Sequence, residues 1–245
     1  MRLLITGANG HIGISLIRRL NETRPGDEVV GIVRSEKAAA SLRQEGLEVD
    51  IRVVSYTDPV GIELAGQGAE VVIHLVGIVK ESATNTFEMA HQKTSAALVE
   101  ANLNASHIVT LGILGSEPSS ANSCFVSRAA SDAILQSGPI PATVIRVPMV
   151  LGPGDYASRA LAKNGASGLT FCFRSSSLEQ PIYSMDLVDA ILSAVSLVPA
   201  DRIIELAGPE SLMRKALIGR AGRLLGNKPT VISLPIALGY LLAWV

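Results

Sequence analysis

The stretch "LLITGANGHIG", residues 3–13, constrains this chain more than any other. An apolar run at 2–6 meets Gly7, Gly10 and Gly13, and a helical pattern over 11–22 follows at once. Gly7 suits the tight turn that ends the strand, because glycine adopts φ > 0 at no steric cost. Gly10 leaves no Cβ between the backbone and an approaching pyrophosphate, and Gly13 lets the helix pack closely on the strand. The helix N-terminus adds unpaired N–H groups and partial positive charge. A glycine-rich turn without a ligand would need only the glycines. The strand before them and the helix after them favour a phosphate cradle for a dinucleotide.

The rest of the chain repeats the same alternation. Short β-branched runs stand at 2–6, 28–33, 49–54, 70–76, 107–111 and 142–147, with helical patterns at 11–22, 35–45, 59–67, 83–103 and 124–137 between them. Strands joined by helical crossovers imply an α/β fold, a Rossmann-type doubly wound parallel sheet. The composition agrees: 48% of residues are hydrophobic but only 4% aromatic, so the core is built from Val, Ile, Leu and Ala. The rhythm loosens after Val147, and a Pro/Gly loop leads into polar, small residues without periodicity. We therefore expect a dinucleotide-binding domain over 1–150 and a smaller C-terminal substrate or lid lobe over 151–245. A helix at 186–198, capped by Asp186, and the short strand in "DRIIELAG" are expected to return to the main sheet. The lobe closes with an amphipathic helix ending at Gly226.

With 21 basic and 22 acidic residues and no Lys/Arg run, nucleic-acid binding through a basic patch is not expected. Cys124 and Cys172 have no metal or CxxC spacing, and no pair of the four histidines has metal spacing either, so no metal site is expected. His11 is expected to be exposed, His74 to be a satisfied core residue, His91 to lie on the fourth helix facing the cofactor side, and His107 to start a strand. No signal peptide or run of ~20 apolar residues is visible, so a cytoplasmic location is expected. The C-terminal "PIALGYLLAWV", with Tyr240 and Trp244, reads either as a packed helix or as a peripheral membrane or protein-complex contact.

The end of the second strand decides the kind of dinucleotide. NAD sites place an acid there for the ribose 2′-hydroxyl. Here the chain reads "GIVRSEK", with Arg34 and Ser35 at the strand end and Lys37 nearby. A guanidinium pairs with a 2′-phosphate and stacks on adenine, whereas a carboxylate would repel that phosphate. The expected cofactor is NADP(H) rather than NAD(H). A solvated surface Arg34 is the plain alternative.

"TGANGHIG" has the TGxxGxxG spacing of the short-chain dehydrogenase/reductase superfamily. "AEVVIHLVGI", "TVIRVPMVLGPGD", "PIYSMDLVDAILSAV" and "IIELAGPESL" resemble, in order, segments of its extended, epimerase/dehydratase-like and atypical branches. "FEMAHQKTSAALVEA" is similar to the fourth helix of the atypical subgroup around the NADPH-binding accessory subunit of respiratory complex I. The resemblance implies a bound nicotinamide dinucleotide held by Gly7, Asn9, Gly10, His11, Ile12, Gly13, Arg34, Ser55, Leu75, Val76, Gly77, Arg128 and Pro148. It also implies a catalytic Ser, Tyr and Lys, but at those positions this chain carries Thr110, Cys124 and Arg128. A thiol is several ångströms shorter than a phenol, while Arg128 keeps donors for ribose hydroxyls. Binding survives these replacements better than proton transfer does. The expectation is an NADP(H)-binding protein with weak or no conventional oxidoreductase activity. The alternative is an active NADP-dependent reductase or a sugar-nucleotide epimerase/dehydratase-like enzyme with another acid/base, such as Tyr156, Tyr183 or His91. After the third strand, Asp58 is expected to cap the next helix.

Overall fold

The computed structural model describes residues 1–236, so Tyr240 and Trp244 of the C-terminal segment lie outside the described residues. Two compact units form, one from Met1–Val147 with Met185–Leu206, the other from Pro148–Ser184 with the chain from Ala207 onward.

Along the first unit run β1 (Arg2–Thr6), α1 (His11–Thr23), β2 (Glu28–Val33), α2 (Glu36–Arg43), β3 (Asp50–Val53), α3 (Pro59–Ala65) and β4 (Val71–His74). A π-helical turn, Glu88–Lys93, then runs into α4 (Thr94–Glu100), followed by β5 (His107–Ile113), α5 (Ser123–Gln136) and β6 (Ala142–Val147). The second unit starts with β7 (Val150–Leu151), α6 (Tyr156–Ala166), β8 (Leu169–Phe173), β9 (Leu178–Glu179) and β10 (Ile182–Tyr183). The chain returns to the first unit through α7 (Ser184–Val195) and β11 (Arg202–Glu205). It ends in the second with β12 (Leu212–Met213), α8 (Arg214–Leu224) and β13 (Thr230–Leu234).

Seven parallel strands make the main sheet, in the order β11-β6-β5-β4-β1-β2-β3. The strand order reverses between β1 and β4, and α/β proteins bind ligands at the carboxyl ends of strands at such a point. The inner strands are nearly continuous apolar runs because both their faces are covered: Leu3, Leu4, Ile5, Ile32, Ile73 and Val109 are wholly or almost wholly buried. Each such side chain contributes about 1.5–3 kcal/mol relative to exposure. On one face Leu4, Val72 and Ile108 pack with Ile62 of α3 and Leu98 of α4. Arg19 of α1 bonds Asp189 of α7 at 3.0 Å, fastening the returning helix within the same unit.

Three expectations are corrected. The fourth helical segment begins at Glu88, with Phe87 at its N-cap, rather than at 83, because Ser82–Asn85 close a small bridge and Glu81 accepts the Phe87 N–H at 2.7 Å. Helix α7 starts at Ser184, so Asp186 stands in its first turn and is not its cap. The polar stretch after Val147 hides α6, capped by Asp155 accepting from Ser158 N–H, and the β8–β13 pair. Among the described residues no helix is long and apolar enough to cross a membrane.

Candidate functional site

The glycine loop joins β1 to α1 at the switch point. Gly7 has φ +74°, and a Cβ there would sit 3.1 Å from the Leu75 carbonyl, so the loop passes close over the end of β4. The Gly10 N–H donates to the Gly7 carbonyl at 2.9 Å, which closes the turn. A Cβ on Gly13 would lie 2.6 Å from the carbonyl oxygens of both Gly7 and Ala8. Gly10 stands at the N-cap of α1 without a side chain, and the first turn has no acid, so no side-chain oxygen competes for its amides. The loop thus presents free donors and positive helix-end potential, which suits a phosphate group.

Beside it opens a cleft of about 320 Å3. Gly7, Asn9, Gly10, Arg34, Ser55, Leu75, Val76 and Gly77 line it. Of the other residues expected to bind cofactor, Gly13 is turned to the loop carbonyls and Arg128 lies beneath Gly77. His11 and Ile12 do not line the cleft, and His11 is half-buried with Nε2 unpartnered rather than exposed. Pro148 belongs to the second unit. The sequence reading missed Tyr56, Thr57, Ile78, Thr84, Asn85, Met89, Ala90 and Thr94, which also line the cleft. An aromatic residue directly after Ser55 was a usable signal for Tyr56. Its hydroxyl donates to the Ile32 carbonyl at 3.4 Å, and burial pushes its pKa up to about 12. Met89 and Ala90 come from the π-helical turn, which no sequence period reveals, and Thr94 from the start of α4 directly after it.

Arg34 projects, exposed, from the end of β2, while Ser35, also exposed, caps α2 by accepting from Ala38 N–H. Ser55 bonds Thr57 Oγ1 at 3.0 Å. Asp58 occupies the N-cap position of α3 but makes no cap bond; its carboxylate instead covers Gly61.

The three positions expected for catalysis are brought near one another with their polar groups already engaged or neutral. The Thr110 hydroxyl donates to the His74 carbonyl at 2.9 Å, within the sheet. Cys124 is buried in the first turn of α5, and that burial pushes its thiol up despite nearby Arg128. A thiol held neutral is a poor base. Arg128, one turn on, donates through Nη1 to the Val76 and Leu111 carbonyls at 3.3 Å each, while Nε has no partner. Burial pulls this guanidinium below its ordinary pKa. Further along α5, buried Asp132 accepts from the half-buried Arg146 Nη2 at 2.9 Å.

Two neutral histidines flank Arg128. His74 Nδ1 meets Thr6 Oγ1 at 2.8 Å, and its pKa falls to about 3, from burial first and then Arg128. His91 Nε2 lies 3.0 Å from the Ile78 carbonyl and 3.2 Å from its N–H, and burial and Arg128 lower its pKa to about 4. The ring therefore clasps the cleft-lining loop after β4 as a neutral imidazole. His107 bonds Thr143 Oγ1 at 2.9 Å in the core.

The family model described as NAD(P)H-binding matches residues 7–167. A ceramide reductase from Caulobacter vibrioides is 27% identical over 235 residues, covering 94% of this chain and 73% of that protein. Among solved structures, UDP-glucuronic acid 4-epimerase from Bacillus cereus in complex with NAD superposes with TM-score 0.80 at 17% identity, over 96% of this chain and 87% of that one. The dTDP-glucose 4,6-dehydratase DesIV from Streptomyces venezuelae, with NAD bound, gives TM-score 0.80 at 18% identity, over 96% and 84%. These two share the fold.

Proposed function

The chain belongs to the NAD(P)H-binding family, and from that premise we propose that it holds NADP(H) in the cleft at the switch point and runs no tyrosine–lysine proton relay. One observation carries the choice of dinucleotide. Among the described residues the cleft is lined by a single cation, Arg34, and by no carboxylate. A ribose 2′-hydroxyl is ordinarily read by an acid, and a 2′-phosphate by a guanidinium. In this reading the amides of the Gly7–Gly13 loop hold the pyrophosphate, Arg34 the 2′-phosphate, and Tyr56 and Ser55 the adenosine side. Bound NADPH supplies hydride chemistry. The chain's own groups supply little to pair with it: the Thr110 hydroxyl is committed to a carbonyl and the Cys124 thiol is held neutral.

A second reading is an active reductase, favoured by the similarity to a ceramide reductase over 94% of this chain. It would act on a carbonyl in a lipid-like substrate, with its proton donor outside the Cys124–Arg128 pair. Mass spectrometry of the dinucleotide released from purified protein tests the shared premise, and NADP(H) is the expected species. NADPH oxidation against a ketone-bearing ceramide and simple aldehydes separates the readings. No consumption above background is expected, and steady turnover on the order of 1 s⁻¹ or more would establish the reductase instead.

A further inference from the structure

Charge is divided unevenly between the units. The second unit holds eight Lys/Arg against three Asp/Glu, a net of +5, and the first unit a net of −6. All three acids are engaged within the second unit. Glu179 pairs with Arg214, Glu210 with Arg220, and Asp155 caps α6. Arg159, Lys163, Arg174, Lys215, Arg223 and Lys228 are exposed and make no ion pair among the described residues.

The same unit turns apolar side chains outward. A strand facing water normally keeps its apolar residues in and its polar residues out. β8 is inverted: Thr170 is buried, while Leu169 and Phe171 are 50% and 57% exposed. In the parallel β8–β13 register Phe171 stands opposite Ile232, which is 39% exposed. The short β9–β12 ladder repeats the pattern, with exposed Leu178 opposite exposed Met213. Exposed cations bracket the larger ribbon, Arg174 directly after β8 and Lys228 shortly before β13.

We propose that the Leu169–Phe171–Ile232 face of the second unit docks on an anionic lipid bilayer. Apolar side chains at the acyl boundary with cations at headgroup level form the combination that interfacial binding requires. Charge opposes the nearest competitor: a second copy meeting this one through the same face would bring the same uncompensated +5 against it. A nucleic acid would match the cations but leave Leu169, Phe171 and Ile232 without an apolar partner. The inference does not depend on which dinucleotide the first unit holds.

Co-sedimentation of the full chain with phosphatidylcholine vesicles, with and without phosphatidylglycerol, tests it. Binding about tenfold tighter to the anionic vesicles is expected, weakening as salt rises. Phe171→Ser with Ile232→Ser, and separately Arg174→Glu with Lys228→Glu, should each lose about tenfold in vesicle affinity while melting temperatures hold. The charge pair sits on exposed positions, so it keeps the test valid if the apolar pair proves unstable. Equal binding to both vesicle types, no binding to either, or undiminished binding by the charge variant would overturn the proposal. So would a vesicle-free dimer that the apolar double variant dissolves, which would give the face to a second copy, or tight binding to a DNA duplex in place of vesicles.

Discussion

Gly77 lacks a Cβ because the Arg128 guanidinium occupies the place one would take. A substitution there must move a buried cation that is tied to two backbone carbonyls. Gly77→Ala is therefore expected to cost about 2 kcal/mol of stability, an overpacking effect measurable by urea unfolding. Gly13→Ala meets backbone oxygens at 2.6 Å, which cannot turn aside as a side chain can. It should weaken NADPH binding by at least about tenfold, since the loop must open to admit the methyl. The placement of Gly7, Gly10 and Arg34 along the cleft was legible in the sequence because it depends on local spacing. The place of Gly77 was legible too, but its packing reason was not, because Arg128 lies fifty-one positions away in the chain. Thr110 illustrates the opposite limit: its position on β5 was readable, but its bond to the neighbouring strand's carbonyl was not.

The strands could be read from composition because a parallel sheet covered on both faces writes itself as apolar runs. The segment 83–103 was less transparent. Its helical period conceals a six-residue π turn, and π turns cluster at functional sites. That turn delivers Met89 and Ala90 to the cleft and sets His91 against Ile78. His91→Ala should release the loop after β4 and raise the Kd for NADPH by about tenfold, with the far-UV spectrum unchanged; His91→Gln, which keeps a donor and an acceptor, should recover part of the loss. Equal affinities for all three proteins would remove His91 from the positioning of the cleft. In the second unit, β8 and β13 went unread because the pattern that marks a half-buried strand is inverted there, with apolar residues out and Thr170 in.

At the scale of the whole molecule, the buried imidazoles contribute a pH dependence to stability. His74 and His91 stay neutral in the fold down to about pH 3 and about pH 4, whereas a free imidazole takes a proton near pH 6.5. Below about pH 6.5 the unfolded chain therefore binds protons that the fold refuses, and stability falls as pH falls. The loss should approach roughly 1 kcal/mol per pH unit for each imidazole until its folded pKa is reached, and be absent above about pH 7. Urea midpoints at about pH 7.5 and about pH 5 check the sign. The most direct test of the account is fluorescence titration of the purified chain with NADPH and with NADH, repeated on Arg34→Ala. NADPH should bind at least about tenfold more tightly, and the preference should vanish in the variant. Equal or tighter binding of NADH by the unaltered chain would contradict the assignment of Arg34 and of the cofactor.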